Sequence, residues 1–185
     1  MTWLEAEACA STQDEAVAAL ATQADPSMIV AVLAERQNLG RGRQGRAWHS
    51  PAGGGIYLSI AVPGPVASAG AEQWPRRVVE SAVEVLAAEV GVAARVREPN
   101  DLYVEERKLG GVLIDTVSYS ERSFDRVVIG IGVNVFGAPG DIDGRATTSV
   151  EASSAHDADT LATARPRVAR AIAYAALAAV LTSRN

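Results

Sequence analysis

Residues 36–55 show no hydrophobic period, yet they separate two short apolar runs, residues 28–34 and 56–62, that read as buried strands. Strands that share a core need an ordered connection, and ordered connections this long are uncommon unless they carry a function. This one is built around Gly40-Arg41-Gly42-Arg43-Gln44-Gly45-Arg46. Glycine lets the backbone turn sharply and come close to a ligand. The arginine forks suit phosphate or carboxylate. Together they read as a flap that closes over an anionic ligand and excludes water. The lysine and hydroxyl of a GxxxxGK[ST] phosphate loop are missing. An isolated Arg-Gly stretch would read more simply as a nucleic-acid patch or a solvated segment. Its position between two core strands favours the flap.

Around this loop the sequence predicts helices and hairpin-linked strands. Thr12 and Glu15 have the spacing of a capping box, opening a helix whose face carries Val17, Leu20, Ala21 and Ala24 and which Pro26 ends. Residues 64–70 read as a flexible connection. Residues 72–90 form the longest helical pattern, with a stripe of Val78, Ala82, Val85, Leu86 and Val90. Strand-like runs follow at 94–97, 110–117 and 126–133, with turns at Pro99-Asn100-Asp101 and Glu105-Glu106-Arg107. Residues 137–144 read as loop. Residues 159–181 read as helix, with Pro166 in an early turn or marking a break. Regular βαβ alternation is lacking, so the predicted fold class is α+β with a largely antiparallel, mixed sheet packed with helices.

Composition narrows the function classes. The net charge of −5 weighs against a nucleic-acid-binding domain. The single Cys9 rules out an internal disulfide and a cysteine-based zinc site. No basic-then-apolar leader opens the chain and no run of about 18 uncharged apolar residues occurs, so the expectation is a cytoplasmic protein that neither spans nor binds a membrane. The basic residues are sixteen arginines and one lysine, Lys108. Lysine is a compact point charge and arginine a planar fork, so a narrow site between two anions could demand the former. His49 and His156 have no ligand-like spacing and read as surface residues. Ser50 has no identifiable base, so a hydrolase triad is unsupported.

Several blocks together resemble the biotin protein ligases of the biotin/lipoate protein ligase superfamily. They are the glycine-arginine segment with Trp48, Ser50-Pro51 and Ile56-Tyr57-Leu58-Ser59; Pro99-Asn100-Asp101-Leu102-Tyr103 with Arg107-Lys108-Leu109-Gly110-Gly111-Val112-Leu113; Ile129-Gly130-Ile131-Gly132-Val133-Asn134; and Ser11-Thr12-Gln13. The resemblance spans residues 11–150 and implies a fold like that of class II aminoacyl-tRNA synthetases and biotin synthetases. It implies ATP-dependent activation of biotin to biotinyl-5'-AMP, then transfer to a lysine of a biotin carboxyl carrier protein. Lys108 matches the family's active-site lysine, with Arg43 as a second catalytic group. On the biotin side the resemblance places Ser11, Thr12, Gln13, Gln37, Gly40, Arg41, Gly42, Arg43, Lys108 and Gly111. On the ATP side it places Arg41, Arg43, Arg46, Trp48 (stacked on adenine), Asn100, Asp101, Lys108 and Asn134, and it gives Asp101 a part in holding Mg²⁺. The family's homodimers are a further implied possibility.

The sequence departs from the family pattern in places. Glu98 stands where a tryptophan is usual, and unless Arg97 or another arginine neutralises it, ATP affinity should fall. Gln13 replaces an asparagine. The expected organisation is one catalytic domain over residues 1–185, without a C-terminal β-barrel or a DNA-binding domain. Against the ligase stand a weakly active or inactive biotin- or adenylate-binding module, a lipoate or octanoate ligase, and an RNA-binding role. Without the resemblance, Trp48 reads equally as a loop aromatic sealing the core, Asn100-Asp101 as turn chemistry, and Gly130 and Gly132 as a strand bulge.

Overall fold

The computed structural model describes residues 1–118, 122–142 and 144–182; Asp143, inside the predicted 137–144 loop, and Asn185, the end of the expected domain, lie outside them. Seven strands form one mixed sheet in the order β1-β2-β3-β7-β6-β5-β4. They are β1 (Thr2–Ala6), β2 (Val30–Ala34), β3 (Gly55–Ala67), β4 (Arg95–Arg97), β5 (Asp101–Val104), β6 (Arg107–Val117) and β7 (Ser123–Asn134). Only β1 and β2 run parallel; the other pairs are antiparallel. The helices are α1 (Thr12–Ala21), α2 (Trp74–Val90), a short α3 (Val150–Ser153) and α4 (Ala158–Leu181). The α+β architecture is as the sequence predicts.

Side-chain alternation along β3, β6 and β7 decides which face is core and which is site. Ile56, Leu58, Ile60, Val62, Val127, Ile129, Ile131, Val133 and Val112 face α2 and α4 and form the main core with Val78, Ala82, Leu86, Ile172 and Ala176. On the opposite face α1 covers a second, smaller cluster of Ala16, Val30, Val32, Ala61 and Val128. Helix α1 is too short to cover the rest of that face. The remainder, with Ser59, Gly130, Gly132 and Asn134, becomes the floor of a cleft.

Several expectations need correcting. The α1 N-cap is Ser11, in extended backbone with no side-chain cap bond, and not Thr12, whose hydroxyl is bonded into the sheet instead. The buried side of α1 is Thr12, Gln13 and Ala16, whereas Ala21 and Ala24 are exposed; the helix turns its first polar turn inward because that turn borders the cleft. Strand β1 escaped prediction because an edge strand carrying Glu5 has no clean alternation. Part of the predicted 64–70 connection extends β3 as far as Ala67, paired to β7 beyond a register shift at Pro63/Val66. Residues 71–73 form a 3₁₀ turn, so α2 begins at Trp74, and it ends on Gly91, whose left-handed φ of 66° favours glycine. Strand β5 occupies residues predicted as turn and its flank, and residues 137–147 contain a small hairpin, β8 (Asp141–Ile142) with β9 (Arg145–Ala146). Pro166 does not break α4, which continues through it. A proline inside a helix costs about 3 kcal/mol; Leu161 on one side and Val168, Ala169 and Ile172 on the other are all buried against the core and offset it. Among the described residues no helix is long and apolar enough to cross a membrane.

Candidate functional site

The cleft on the α1 side has a volume of about 290 Å³, at the small end of the range for ligand pockets, roughly 300–1,000 Å³. Its roof is the glycine-arginine segment, which is a hairpin rather than a structureless loop. The Trp48 N–H donates to the Gly40 carbonyl at 2.8 Å and the Gly42 N–H to the Arg46 carbonyl at 2.7 Å. A tight turn closes it, with Gln44 and Gly45 at φ values of 58° and 72°. The base of the connection is pinned by Tyr57, whose hydroxyl donates to the Pro51 carbonyl at 3.1 Å. Burial pushes that phenol up to about 12, with Arg165 opposing and Glu35 reinforcing the shift, so it stays a donor at neutral pH.

Lys108 lies on the floor. A register shift between β5 and β6 leaves Leu109 as an extra residue in the core, and this places Lys108 and Gly111 on the same, cleft-facing side. Bulges re-aim side chains in this way beside functional sites. The Lys108 ammonium donates to Asp101 Oδ1 at 2.7 Å, with only 19% and 16% of the two side chains exposed. It also lies 5.6 Å from the centre of the Trp48 ring. A Cβ on Gly111 would come within 3.0 Å of Asp101 Oδ1, so glycine there makes room for this pair.

At one end the lining is a polar network. Gln37 Oε1 accepts from the Thr12 N–H at 2.8 Å and from the Thr12 hydroxyl at 3.0 Å, and Gln37 Nε2 donates to Ser50 Oγ at 2.9 Å. The Thr12 and Ser59 hydroxyls lie 2.8 Å apart. Gln13 Nε2 donates to Asp115 at 3.3 Å, and Ser11 is buried beside it. At the other end Arg43 Nη1 donates to Asn100 Oδ1 at 2.8 Å, while Asn100 Nδ2 donates to the Val112 carbonyl at 2.7 Å. Arg41 pairs with Asp14 at 2.9 Å and lies 3.9 Å from Asp115. Arg46 Nε donates to the Arg43 carbonyl. Asn134 Nδ2 donates to the Thr148 carbonyl at 3.0 Å, which fixes the segment following β9.

Two glycines on β7 set the depth of the two ends. A Cβ on Gly130 would meet Gln13 Cδ at 3.0 Å, and one on Gly132 would meet Trp48 Cε2 at 2.5 Å. The strand has no bulge there; close side-chain approach is the reason for glycine. Trp48 lies on the Gly132 backbone inside the cleft and does not seal the core.

The structure therefore gathers Ser11, Thr12, Gln13, Gln37, Arg41, Gly42, Arg43, Arg46, Trp48, Asn100, Asp101, Lys108, Gly111 and Asn134 around one cavity. Gly40 stands apart: a Cβ there would strike the Trp48 carbonyl at 2.5 Å and Ser50 Oγ at 2.8 Å, so it allows the hairpin legs to pack and does not line the cleft. Sequence reasoning missed Ser59, Arg145 and Thr147, which also line the cavity. Ser59 ends the Ile56-Tyr57-Leu58-Ser59 block, and Arg145 is one more arginine in a glycine-rich stretch. His49 and His156 are exposed as expected, although His49 edges the cleft. Glu98 is not a lining residue; Arg76 on α2 meets it at 3.0 Å, so the negative charge has its counter-ion outside the cavity. Arg97 instead lies over the Tyr103 ring. Among the described residues no three His, Cys, Asp or Glu side chains converge to hold a metal ion.

The walls carry Lys108, Arg41, Arg43, Arg46 and Arg145 against one carboxylate, Asp101, inside a chain of net charge −5. Such a cavity focuses positive potential and suits polyanions. Residues 7–134 match the family model described as the biotin/lipoate A/B protein ligase family. The bifunctional ligase/repressor BirA of Escherichia coli strain K12 is 38% identical over 108 residues, covering 57% of this chain and 32% of that protein. The biotin--[acetyl-CoA-carboxylase] ligase of Paracoccus denitrificans is 36% identical over 134 residues, covering 69% of this chain and 55% of that one. The chain thus spans between a third and just over half the length of these relatives. A solved biotin protein ligase from Aquifex aeolicus in complex with biotin and ATP superposes with a TM-score of 0.71 at 27% identity, over 96% of this chain and 71% of that chain.

Proposed function

The chain belongs to the biotin/lipoate A/B protein ligase family, and on that premise we propose that it activates biotin with ATP and transfers it to a lysine of a biotin carboxyl carrier protein. The observation that carries this reading is Lys108: the ammonium of the chain's one lysine is on the floor of a cavity walled by guanidiniums, largely shielded from water and held by Asp101.

In the first step a biotin carboxylate oxygen attacks the α-phosphorus of ATP. The new P–O bond forms as the bond to the bridging oxygen breaks, and pyrophosphate leaves with its electron pair. Two anions must touch for this to happen, so fixed positive charge where they meet is the main requirement. Lys108 supplies it once the carboxylate and phosphate compete with Asp101 for its ammonium. Arg43, anchored by Asn100, brings the flap's charge to the same point. In the second step the acceptor amine attacks the carbonyl of the mixed anhydride, AMP departs, and the nitrogen loses its proton to form the amide. The flap hairpin keeps water from the anhydride meanwhile.

The end lined by Ser11, Thr12, Gln13 and Gln37 supports biotin over lipoate or octanoate. Biotin's ureido ring offers two N–H donors and a carbonyl that can join this polar network, whereas an alkyl or dithiolane group would desolvate it and add no hydrogen bond in return. Trp48 would stack on adenine, with Arg41, Arg46 and Asn134 completing the nucleotide side. An Mg²⁺ ion entering with ATP would be held by phosphate oxygens with Asp101 as the one cleft carboxylate to assist, and it would neutralise phosphate charge. Incubation with radiolabelled biotin, ATP and a carrier domain tests the reading: label should appear on the carrier and be absent without ATP. A carrier that stays unlabelled although the ligands bind would refute it.

A further inference from the structure

The hairpin β8–β9 is the one wall of the cleft that no motif marks. It is fastened to the reacting end: Thr147 bridges to Lys108, and the Thr148 N–H donates to the Lys108 carbonyl at 2.9 Å. Residues two apart on a strand share a face, so Arg145 and Thr147 point the same way, with Ile142 opposite Arg145 in the ladder; all three line the cleft. The spacing places Arg145 two residues beyond the Lys108 contact, roughly 6–7 Å along the strand, and on the hairpin wall rather than the flap. Its guanidinium is exposed and has no hydrogen-bond or ion-pair partner among the described residues. The other cleft cations are engaged: Lys108 with Asp101, Arg41 with Asp14, Arg43 with Asn100 and Arg46 with the Arg43 carbonyl. Arg145 is thus an uncommitted fork in the same cleft as Lys108, on a wall whose backbone is fastened to it.

We propose that Arg145 binds the β- and γ-phosphates of ATP and the pyrophosphate that leaves, from the β8–β9 wall of the cleft. This rests on the adenylation reading above. The guanidinium touches neither the α-phosphate nor biotin, so it lowers the energy of bound ATP and of departing pyrophosphate and contributes nothing to holding the adenylate. Its loss falls on one half-reaction only.

The test compares Arg145→Gln and Arg145→Lys with the unaltered chain. In biotin-dependent exchange of pyrophosphate into ATP, the KM values for ATP and pyrophosphate should each rise about tenfold in the Gln variant, the scale of one charge-assisted contact in a partly exposed site, and partly recover in the Lys variant. Binding of pre-formed biotinyl-5'-AMP, and its transfer to a carrier lysine, should be unchanged. Unaltered KM values would overturn the proposal. So would an equal loss of biotinyl-5'-AMP binding, which would assign Arg145 to the AMP moiety or to the fold. If the unaltered chain shows no exchange, the adenylation reading has failed, and calorimetry with tripolyphosphate alone still decides the arginine's role: weaker binding by the Gln variant supports it, and equal binding sinks it.

Discussion

Replacing Gly132 by alanine alters the cleft without removing a functional group. The added methyl would lie 2.5 Å from Trp48 Cε2 and 2.6 Å from its Nε1, whereas carbon atoms prefer about 3.5–4.0 Å. The strand cannot retreat, because β7 is paired on both sides, to Tyr57 and to Gly111. The indole must therefore move by roughly 1 Å or more, at the 1–3 kcal/mol typical of overpacking. If Trp48 is the adenine platform, it loses part of a stacking contact of about 1–3 kcal/mol. Misplacing a reactant by 1 Å costs up to about 10²-fold. The expected result is a rise of about tenfold or more in the KM for ATP, with the KM for biotin little changed and the protein folded by circular dichroism. Steady-state pyrophosphate exchange reads both constants, and Trp48→Ala should reproduce the pattern without the steric cause. If both variants keep the parental KM for ATP, the stacking role of Trp48 is wrong.

Gly130→Ala should act at the other end: its methyl meets Gln13 Cδ at 3.0 Å, so biotin binding by calorimetry should weaken while ATP binding persists. Lys108→Arg should not restore what Lys108→Ala loses, because a planar fork does not replace a point charge between Asp101 and the reactants; exchange assays of both variants check this. Leu86→Ala, at a fully buried position on α2, should cost about 2–5 kcal/mol in urea unfolding and leave ligand affinities intact below the transition. The Asp157 carboxylate, which caps α4 through the Thr160 N–H and hydroxyl, is held below its ordinary value of 3.8. The folded state thus binds fewer protons. The stabilisation is complete above the unfolded value and is lost as pH falls through the lower folded one, so Asp157→Asn should flatten the acid limb of a melting-temperature profile.

The sequence revealed most where burial is apolar and periodic. The α2 stripe of Val78, Ala82, Leu86 and Val90 is buried as its spacing requires, and β3 and β7 follow from their alternation. Arginine alternating with glycine marked the segment that roofs the cleft, and the family resemblance, meeting the chain's one lysine, marked Lys108 on its floor. Polar burial stayed hidden: Thr12, Gln13 and Ser59 face inward because they build a site, and a search for apolar periods passes over them. Charges matched across the fold were equally invisible. Nothing near Glu98 in sequence names Arg76 as its counter-ion, and Arg145 gains meaning only because Thr147 bridges to Lys108. The capping-box spacing at Thr12 misled because tertiary hydrogen bonds to Gln37 and Ser59 took the hydroxyl that a cap would have used.

The most direct measurement of the central claim is biotin-dependent exchange of labelled pyrophosphate into ATP by the unaltered chain and by Lys108→Ala. Substantial exchange that falls at least about a hundredfold in the variant, with biotin still bound, is the expected result. Exchange that survives in Lys108→Ala to within a few-fold would mean that the shielded ammonium does not bring the two anions together.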